Sequence, residues 1–439
     1  MFSHMTMAFA RYIVAPGISQ DGPCHLMQRP ILRLVAQGPA WVSCFFILSG
    51  FVNSLKPLKL ARSGQKEGAL ANLSISSFRR TFRLFLPSLT ATICSWFICQ
   101  LGAYEISRNS DAFWLSVTSP KRSRSWGTAI DDLIRAVRDT WMFDPNNAYD
   151  QPQWALLYLL LGSMYCFTAL LMMVNLTPTW RVIAGIGCWC WGWNWDIKMG
   201  AREYTKVYYP STLADQIVAL VGVGIFSGIL LAELHHSEIP LRLSRFSPFF
   251  TPPLFIISLI LMSFPAEYQK TQPWSRFLLN LHYKLFPKFA FLDRSWPTMG
   301  AALLCLTVIM SPHLRIILSK RPLLWLGKIS FPLYLLHGSF MRSILAWMVF
   351  ARQHLKEMEQ RNGAQVYVVK KYPLPNLSTY VLVLPIFFPI LFFSAHLWAN
   401  KIEPHFGAIT KVAEEICFGK REASKLTILP TRQPVVRKD

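Results

Sequence analysis

Long stretches of apolar residues separated by short polar loops dominate the chain. A helix needs about 20 apolar residues to cross a bilayer, because the hydrocarbon core is about 30 Å thick and each residue adds about 1.5 Å. The stretches do not alternate with period two, as the strands of a membrane barrel would. We therefore predict an all-α fold, a polytopic transmembrane helix bundle with about nine to ten spans. The apolar stretches are residues 38–55, 84–104, 153–175, 181–194, 216–232, 246–266, 297–314, 329–350 and 379–398.

The composition is that of a membrane protein. Hydrophobic residues make up 52% of the chain and charged residues 15%, whereas about a quarter of a typical soluble domain is charged. The net charge of +22 would suggest nucleic-acid binding in a soluble protein. Here the basic residues lie in loops between the apolar stretches, so we predict no nucleic-acid partner. The predicted location is an endomembrane or the plasma membrane, with the lipid bilayer as a partner.

The basic loops also predict the orientation of the chain. Residues 56–83, 235–245, 315–328 and the C-terminal tail fall on one side, which is the cytosol by the positive-inside rule. Two other basic loops, residues 270–294 and 352–371, fall on the outer side and do not follow the rule. We predict one transmembrane domain over residues 1–400 and a polar cytosolic tail over residues 401–439.

Motifs of several other functional classes are missing from the sequence. There is no Walker motif and no Gly-x-Ser-x-Gly motif. The nine cysteines show neither a disulfide nor a zinc spacing, so we predict no metal site. Gly224 and Gly228 lie in an apolar stretch, where the Gly-x-x-x-Gly spacing favours helix packing over nucleotide binding.

Two histidines are candidates for chemistry, because ionisable side chains in or near a span are costly. His4 can act as a general base near neutral pH. The alternative is that it is merely exposed at the start of the chain. His337 lies in a stretch that Pro332 and Gly338 loosen. It either faces a polar partner or cavity, or makes a structural hydrogen bond between helices.

A cluster of arginines precedes the second apolar stretch. Arg79 and Arg83 share a helix face, and Arg80 lies close to it. Guanidinium groups pair with phosphate oxygens, so the cluster is a candidate phosphate site. The alternative is ordinary anchoring to anionic lipid at the cytosolic leaflet.

Several segments in order resemble the acyltransferase 3 family of integral-membrane acyltransferases, in its fungal branch. The resemblance implies about ten helices. It also implies transfer of an acyl group, commonly acetyl, from acyl-CoA to a hydroxyl of a small-molecule or glycan acceptor. Acyl-CoA is then a co-substrate, and no cofactor is bound. The segments are residues 28–34, 45–51, 56–60, 77–80, 83–87 and 329–338.

The resemblance also implies roles for individual residues. His4 matches the catalytic base of the family, and His337 matches a residue that lines the central cavity. Trp154 falls in a stretch that aligns with the family and is assigned to substrate binding. The arginines that would hold the phosphates of acyl-CoA are Arg79, Arg80 and Arg83.

Two departures from the family pattern leave other functions open. The family has an arginine about ten residues before the histidine. This sequence starts too late to contain it, so we expect a truncated first helix. Leu159 stands where the family has a glutamate. A catalytically degenerate copy is therefore one alternative, and a polytopic transporter is another, although no pair of broken helices in two repeats is visible.

Overall fold

The computed structural model describes residues 1–142, 147–198, 221–288, 290–362 and 365–419, and in this part of the chain it is a helix bundle with one small β-hairpin. The first nine helices are α1 (Phe2–Phe9), α2 (Gly38–Arg62), α3 (Lys66–Gln100), α4 (Glu105–Arg108), α5 (Phe113–Thr118), α6 (Trp126–Trp141), α7 (Trp154–Met173), α8 (Pro178–Lys198) and α9 (Val221–His235). The others are α10 (Ile239–Leu243), α11 (Ser247–Met262), α12 (Pro273–Leu285), α13 (Leu292–Met310), α14 (Pro312–Leu318), α15 (Arg321–Phe340), α16 (Ala346–Phe350), α17 (Leu377–Leu397) and α18 (Glu403–Phe418).

Six helical segments are long and apolar enough to cross a membrane, or seven if α13 and α14, which bend by 97°, form one span. All of the predicted apolar stretches fall on helices, although residues 216–220 lie outside the described residues. The membrane bundle is therefore confirmed, but the predicted count of nine to ten spans is not. α8 contains Arg181, Asn194 and Asp196, which lower its hydropathy, and the described part of α9 has only 15 residues.

Helices α2 and α9 pack with their backbones almost in contact. A Cβ atom on Gly228 would lie 2.2 Å from the carbonyl oxygen of Ile47, and one on Gly50 would lie 2.2 Å from that of Ile225. Close approach of this kind is how small residues join helices in lipid, where the hydrophobic effect does not drive association. The prediction that the glycines of this stretch serve packing is confirmed.

The ends of α2, α8 and α9 meet around one buried carboxylate. Glu233 Oε1 lies 3.0 Å from Arg62 Nη2 and 3.0 Å from Arg181 Nε. Glu233 and Arg181 are buried, while Arg62 is about one-quarter exposed. One carboxylate thus holds two guanidinium groups at the side that the positive-inside rule assigns to the cytosol.

The segment after α1 is held by two residues of the family-like stretch 28–34. Gln28 Nε2 donates to the carbonyl oxygens of Tyr12 and Ala15 at 2.8 and 3.1 Å. Arg33 donates to the carbonyl oxygens of Val14 and Ser263, and the latter lies at the end of α11. These buried polar side chains therefore have a structural role, because they satisfy carbonyl groups that helix ends leave free.

The first part of the predicted polar tail is an ordered helix. α18 continues from α17 through a π-helical turn, Trp398–Ile402. Glu414 of α18 forms a bidentate ion pair with Arg79 of α3, with distances of 2.6 and 2.8 Å. Residues 403–418 are thus part of the bundle, while residues 420–439 lie outside the described residues.

The loops between the apolar helices contain two further elements. α6 is an amphipathic helix, and its first turn is capped by Ser125 and Thr128. Strands β1 (Lys356–Asn362) and β2 (Gln365–Lys371) form an antiparallel hairpin that we did not predict. Asn362, the last residue of β1, is followed in the sequence by glycine, and this Asn-Gly dipeptide is a common hairpin signal that could have revealed the hairpin.

Candidate active site

Helix α15 brings His337 into the middle of the bundle. Pro332 lies inside the helix, and the π-helical turn Met341–Leu345 follows its end. Proline removes a backbone donor from a helix, and π-helical turns occur often at functional sites. Gly338 lets a neighbouring carboxylate approach, because a Cβ atom there would lie 3.0 Å from Asp150 Oδ1. The sequence predicted a weakened helix around Pro332 and Gly338, and regular α-helix is interrupted by the π-helical turn that follows.

The two candidate histidines lie side by side. His4 Nδ1 is 2.9 Å from His337 Nε2, and the two rings are stacked with an interplanar angle of 13°. His337 Nδ1 is 2.7 Å from the carbonyl oxygen of Tyr334. His337 is 1% exposed, whereas His4 is half-buried. The structure therefore brings together two imidazoles that are 333 positions apart in the sequence.

Trp114 of α5 forms a wall of this site. Its indole ring stacks on the imidazole of His4 with a centroid distance of 4.5 Å and an interplanar angle of 11°. Trp114 is 5% exposed and belongs to the apolar cluster that includes Ala8, Met341 and Leu345. The His4 ring is thus fixed on one face by Trp114 and at one edge by His337.

A buried arginine lies one turn beyond His337. Arg342 is fully buried and donates to the carbonyl oxygens of Gly338 and Thr118 at 3.1 and 2.8 Å. Its guanidinium carbon lies 4.7 Å from the centre of the Tyr104 ring, which is a cation–π contact. Arg342 Nη2 is 3.9 Å from Asp150 Oδ1. A buried ion pair therefore borders the histidines, and the sequence analysis assigned it no role.

Asp150 is the acidic partner in that pair. Its Oδ2 atom accepts a hydrogen bond from Gln153 at 2.8 Å, while Oδ1 has no hydrogen-bond partner in the described part of the chain. Burial raises the pKa of the Asp150 carboxyl above its usual range, against the opposing effects of Arg342 and Gln153.

The three predicted arginines have different surroundings. Arg79 is occupied by Glu414. Arg80 points into the bundle, where Nε donates to Ser163 Oγ and Nη2 donates to Ser49 Oγ, each at 3.1 Å. Within the described residues no carboxylate pairs with Arg80. Arg83 is exposed. Helix geometry alone suggested a shared face, but the side chains have different partners, α18 for Arg79 and helices α2 and α7 for Arg80.

Position 159 lies beside the Arg80 group. The hydroxyl of Ser163 donates to the carbonyl oxygen of Leu159 at 2.7 Å, one turn earlier on α7. The family glutamate position is therefore close to Arg80. Trp154 lies at the start of α7, where its ring packs edge-to-face on Tyr158. The substrate-binding role of Trp154 stays a prediction.

Several residues of this region were missed by sequence reasoning. Arg342 carried a usable signal, since a charged residue inside an apolar stretch marks a candidate site. Trp114, Ser49 and Ser163 carried none, because only packing between distant helices brings them to the histidines and to Arg80. In the part of the chain that the structure describes, no group of three His, Cys, Asp or Glu side chains is placed to hold a metal ion.

Comparison with known proteins identifies the family. Residues 1–399 match the acyltransferase 3 model, which is described as an acyltransferase domain. Acyltransferase clz18 of Cochliobolus lunatus is 22% identical over 73% of this chain and 72% of its own length. Acyltransferase R4 of a Phoma species is 23% identical over 74% of this chain and 73% of its own length.

A third relative matches over a shorter region. The O-acetyltransferase PaAT-1 of Phomopsis amygdali is 41% identical over 78 residues, which are 18% of this chain and 16% of that protein. No solved structure matches the chain. The family match spans nearly the whole membrane bundle, including both histidines. The chain therefore belongs to the acyltransferase 3 family of fungal-type membrane acyltransferases and is a transferase enzyme.

Proposed function

We propose that this enzyme moves an acyl group, commonly acetyl, from acyl-CoA to a hydroxyl of a small-molecule or glycan acceptor, with His4 as the general base. The observation that carries the proposal is the hydrogen-bonded pair of His4 and His337 inside the membrane bundle. An imidazole that is half-buried and oriented by a neighbour is suited to proton transfer near neutral pH.

The proposed reaction needs one proton shuttle. His4 takes the proton of the acceptor hydroxyl while the hydroxyl oxygen attacks the carbonyl carbon of the thioester. The carbon–sulfur bond then breaks as the ester forms. His4 returns the proton to the leaving thiolate, so the products are an acyl ester and free coenzyme A. The histidine is neutral again at the end of each cycle.

Arg80 is the best-placed anchor for the phosphates of acyl-CoA. It has two neutral hydroxyl partners and no carboxylate among the described residues. A partly buried cation with unneutralised charge favours an anionic ligand. Arg83 adds exposed positive charge one turn away. Arg79 is engaged with Glu414, so we assign it to the docking of α18 more readily than to the substrate.

The acceptor is proposed as a class only. Sterol, terpenoid, polyketide and glycan acceptors share one reactive group, a hydroxyl. PaAT-1 is named an O-acetyltransferase, which supports acetyl as the acyl group and oxygen as the accepting atom. His337 lies in a helical segment long and apolar enough to span a membrane, which suits an acceptor that enters from the lipid or from the outer side.

The test is transfer of labelled acetyl from acetyl-CoA by the purified full chain in lipid nanodiscs. The acceptor panel contains a sterol, a terpenoid alcohol, a phenolic polyketide and an oligosaccharide. We expect labelled ester and released coenzyme A in equal amounts with at least one acceptor. The proposal would be contradicted if the wild type and His4→Ala released coenzyme A at the same background rate with every acceptor and with water.

Replacing Arg80 tests the phosphate anchor. Arg80→Gln is expected to raise the KM for acetyl-CoA by about 10- to 100-fold, because a hydrogen bond to a charged group contributes about 1.5–3 kcal/mol. The kcat should change little. The control is Arg245→Gln, which removes an exposed basic side chain from a predicted cytosolic loop.

A second donor makes this test specific. Acetyl-pantetheine carries the same thioester without phosphates, so Arg80→Gln should leave its kcat/KM unchanged. An equal loss with both donors would show that Arg80 acts only through the packing of Ser49 and Ser163.

Replacing Trp114 tests the wall behind His4. Trp114→Ala is expected to lower kcat about 10-fold, because an aromatic pair contributes about 0.5–1.5 kcal/mol and a misplaced base reacts slowly. Trp114→Phe keeps an aromatic face and should retain most of the activity. Equal kcat values for the two variants would contradict a role for ring stacking.

A further inference from the structure

We propose that His337 is a positioning residue that fixes the tautomer of His4, so that Nε2 of His4 is the nitrogen that accepts the proton. This inference rests on the proposed function and assigns His337 a role other than lining a cavity. It follows from the direction of two hydrogen bonds around the histidine pair.

The first hydrogen bond sets the protonation of His337. A carbonyl oxygen only accepts hydrogen bonds, so the 2.7 Å contact with the Tyr334 carbonyl requires a hydrogen on His337 Nδ1. In a neutral imidazole the other nitrogen then carries a lone pair. His337 Nε2 is therefore an acceptor that faces His4.

The second hydrogen bond determines which nitrogen of His4 carries the hydrogen. The 2.9 Å contact between His4 Nδ1 and His337 Nε2 needs one hydrogen, and His337 has none to give. His4 therefore carries its hydrogen on Nδ1. A neutral His4 then has its lone pair on Nε2, the nitrogen that makes no hydrogen bond within the described residues.

The opposite arrangement requires a charged His337. If His337 donated to His4, both of its nitrogens would carry hydrogen and the ring would be a cation. That cation would be buried one turn from Arg342, which already carries a positive charge. Asp150 offsets part of the charge of Arg342, but among the described residues no carboxylate forms an ion pair with His337. Burying a cation without a partner is costly, so the neutral arrangement is favoured.

The same contact strengthens when His4 takes a proton. At that moment the Nδ1–H group of His4 belongs to an imidazolium, and hydrogen bonds from charged donors are about twice as strong as neutral ones. His337 thus stabilises the charge that develops in the transition state. It touches neither substrate and acts through His4.

Two substitutions of equal length test this role. Glutamine at position 337 can offer an amide oxygen to His4, whereas methionine has a similar length and no comparable acceptor. His337→Gln is expected to keep kcat within about tenfold of the wild type. His337→Met is expected to lose about 10²-fold or more, as when an orienting group is removed from a catalytic histidine. The KM for acetyl-CoA and for the acceptor should stay within about threefold in both variants.

A residue that only lines the cavity gives a different result. It would raise KM, and it would do so similarly in the glutamine and methionine variants. A residue that only packs would favour methionine over glutamine. If the wild-type enzyme is active, either of these two results would overturn the positioning role of His337 and leave the acyl-transfer proposal intact.

The tautomer itself is measured without turnover. Nitrogen-15 NMR of the full chain with labelled histidine distinguishes Nδ1–H from Nε2–H imidazoles, and comparison with His4→Gln identifies the His4 signal. We expect His4 to carry Nδ1–H in the wild type and in His337→Gln, and to shift toward Nε2–H in His337→Met. An Nε2–H signal for His4 in the wild type would overturn the inference, whether or not the protein transfers acetyl.

Discussion

His4→Ala is expected to lower kcat for acetyl transfer by about 10²- to 10⁴-fold, the usual contribution of a positioned general base. The KM for acetyl-CoA should stay within about threefold, since we propose that Arg80, and not His4, holds the phosphates. The loss arises because the variant lacks the proposed proton acceptor. No other described side chain hydrogen-bonds to His337 Nε2, so none stands in the place of His4. Initial rates with labelled acetyl-CoA give both constants.

The control for this prediction is another histidine. His354→Ala removes an exposed imidazole from the loop that precedes the β-hairpin, and its rate should equal that of the wild type. Both variants should elute as single species from a size-exclusion column. A folded His4→Ala enzyme with the wild-type kcat would remove His4 from the mechanism, even if transfer itself were demonstrated.

The position of His4 depends on contacts far from the reaction. α1 has only eight residues and packs on α5 and on the segment around Arg33. Gln28 and Arg33 hold the chain just after α1 by binding its carbonyl oxygens. Two residues of a stretch that contributes to the family resemblance therefore hold the chain that follows the proposed base, and among the described hydrogen bonds neither of them pairs with His4 or His337.

The membrane bundle was predictable from the sequence because apolar length alone determines whether a helix can span lipid. The hairpin was not predicted because the basic residues of loop 352–371 indicated only its side of the membrane, and the Asn-Gly dipeptide at 362–363 was the one local signal for a turn. The count of nine to ten spans is not confirmed, in part because polar residues lower the hydropathy of α8, which is a helix all the same. Length criteria measure lipid compatibility, whereas helix formation also depends on packing against neighbours.

The candidate site was predictable only in part. The cost of ionisable residues in or near a span, and then the family resemblance, singled out His4 and His337. Their contact joins residues that no local pattern relates. Helix spacing grouped Arg79 with Arg80, yet Arg79 pairs with a carboxylate of α18, in a segment expected to be a polar tail. Pairing between distant helices decides which charges are free for a ligand, and a single sequence does not contain that information.

Glu233→Gln is expected to destabilise the folded protein more than any of the active-site substitutions does. Glu233 is the one carboxylate within ion-pair distance of Arg62 and Arg181 in the described structure, and Arg181 is 3% exposed. Removing one partner of a buried pair leaves an uncompensated charge and costs about 3–5 kcal/mol. We expect a lower thermal unfolding midpoint in detergent and a smaller monodisperse fraction after purification.

Two further variants separate buried charge from general damage. Glu238→Gln removes an acid five positions later, whose pair with Arg242 is about three-quarters exposed on both sides, and such surface pairs contribute about 0–1 kcal/mol. Its unfolding midpoint should match the wild type. The double variant Arg181→Met with Glu233→Gln removes the more deeply buried of the two cations together with the carboxylate, so it should be more stable than Glu233→Gln alone. A double variant less stable than the single would mean that Arg181 contributes mainly through packing, and that the carboxylate is not what holds α2, α8 and α9 together.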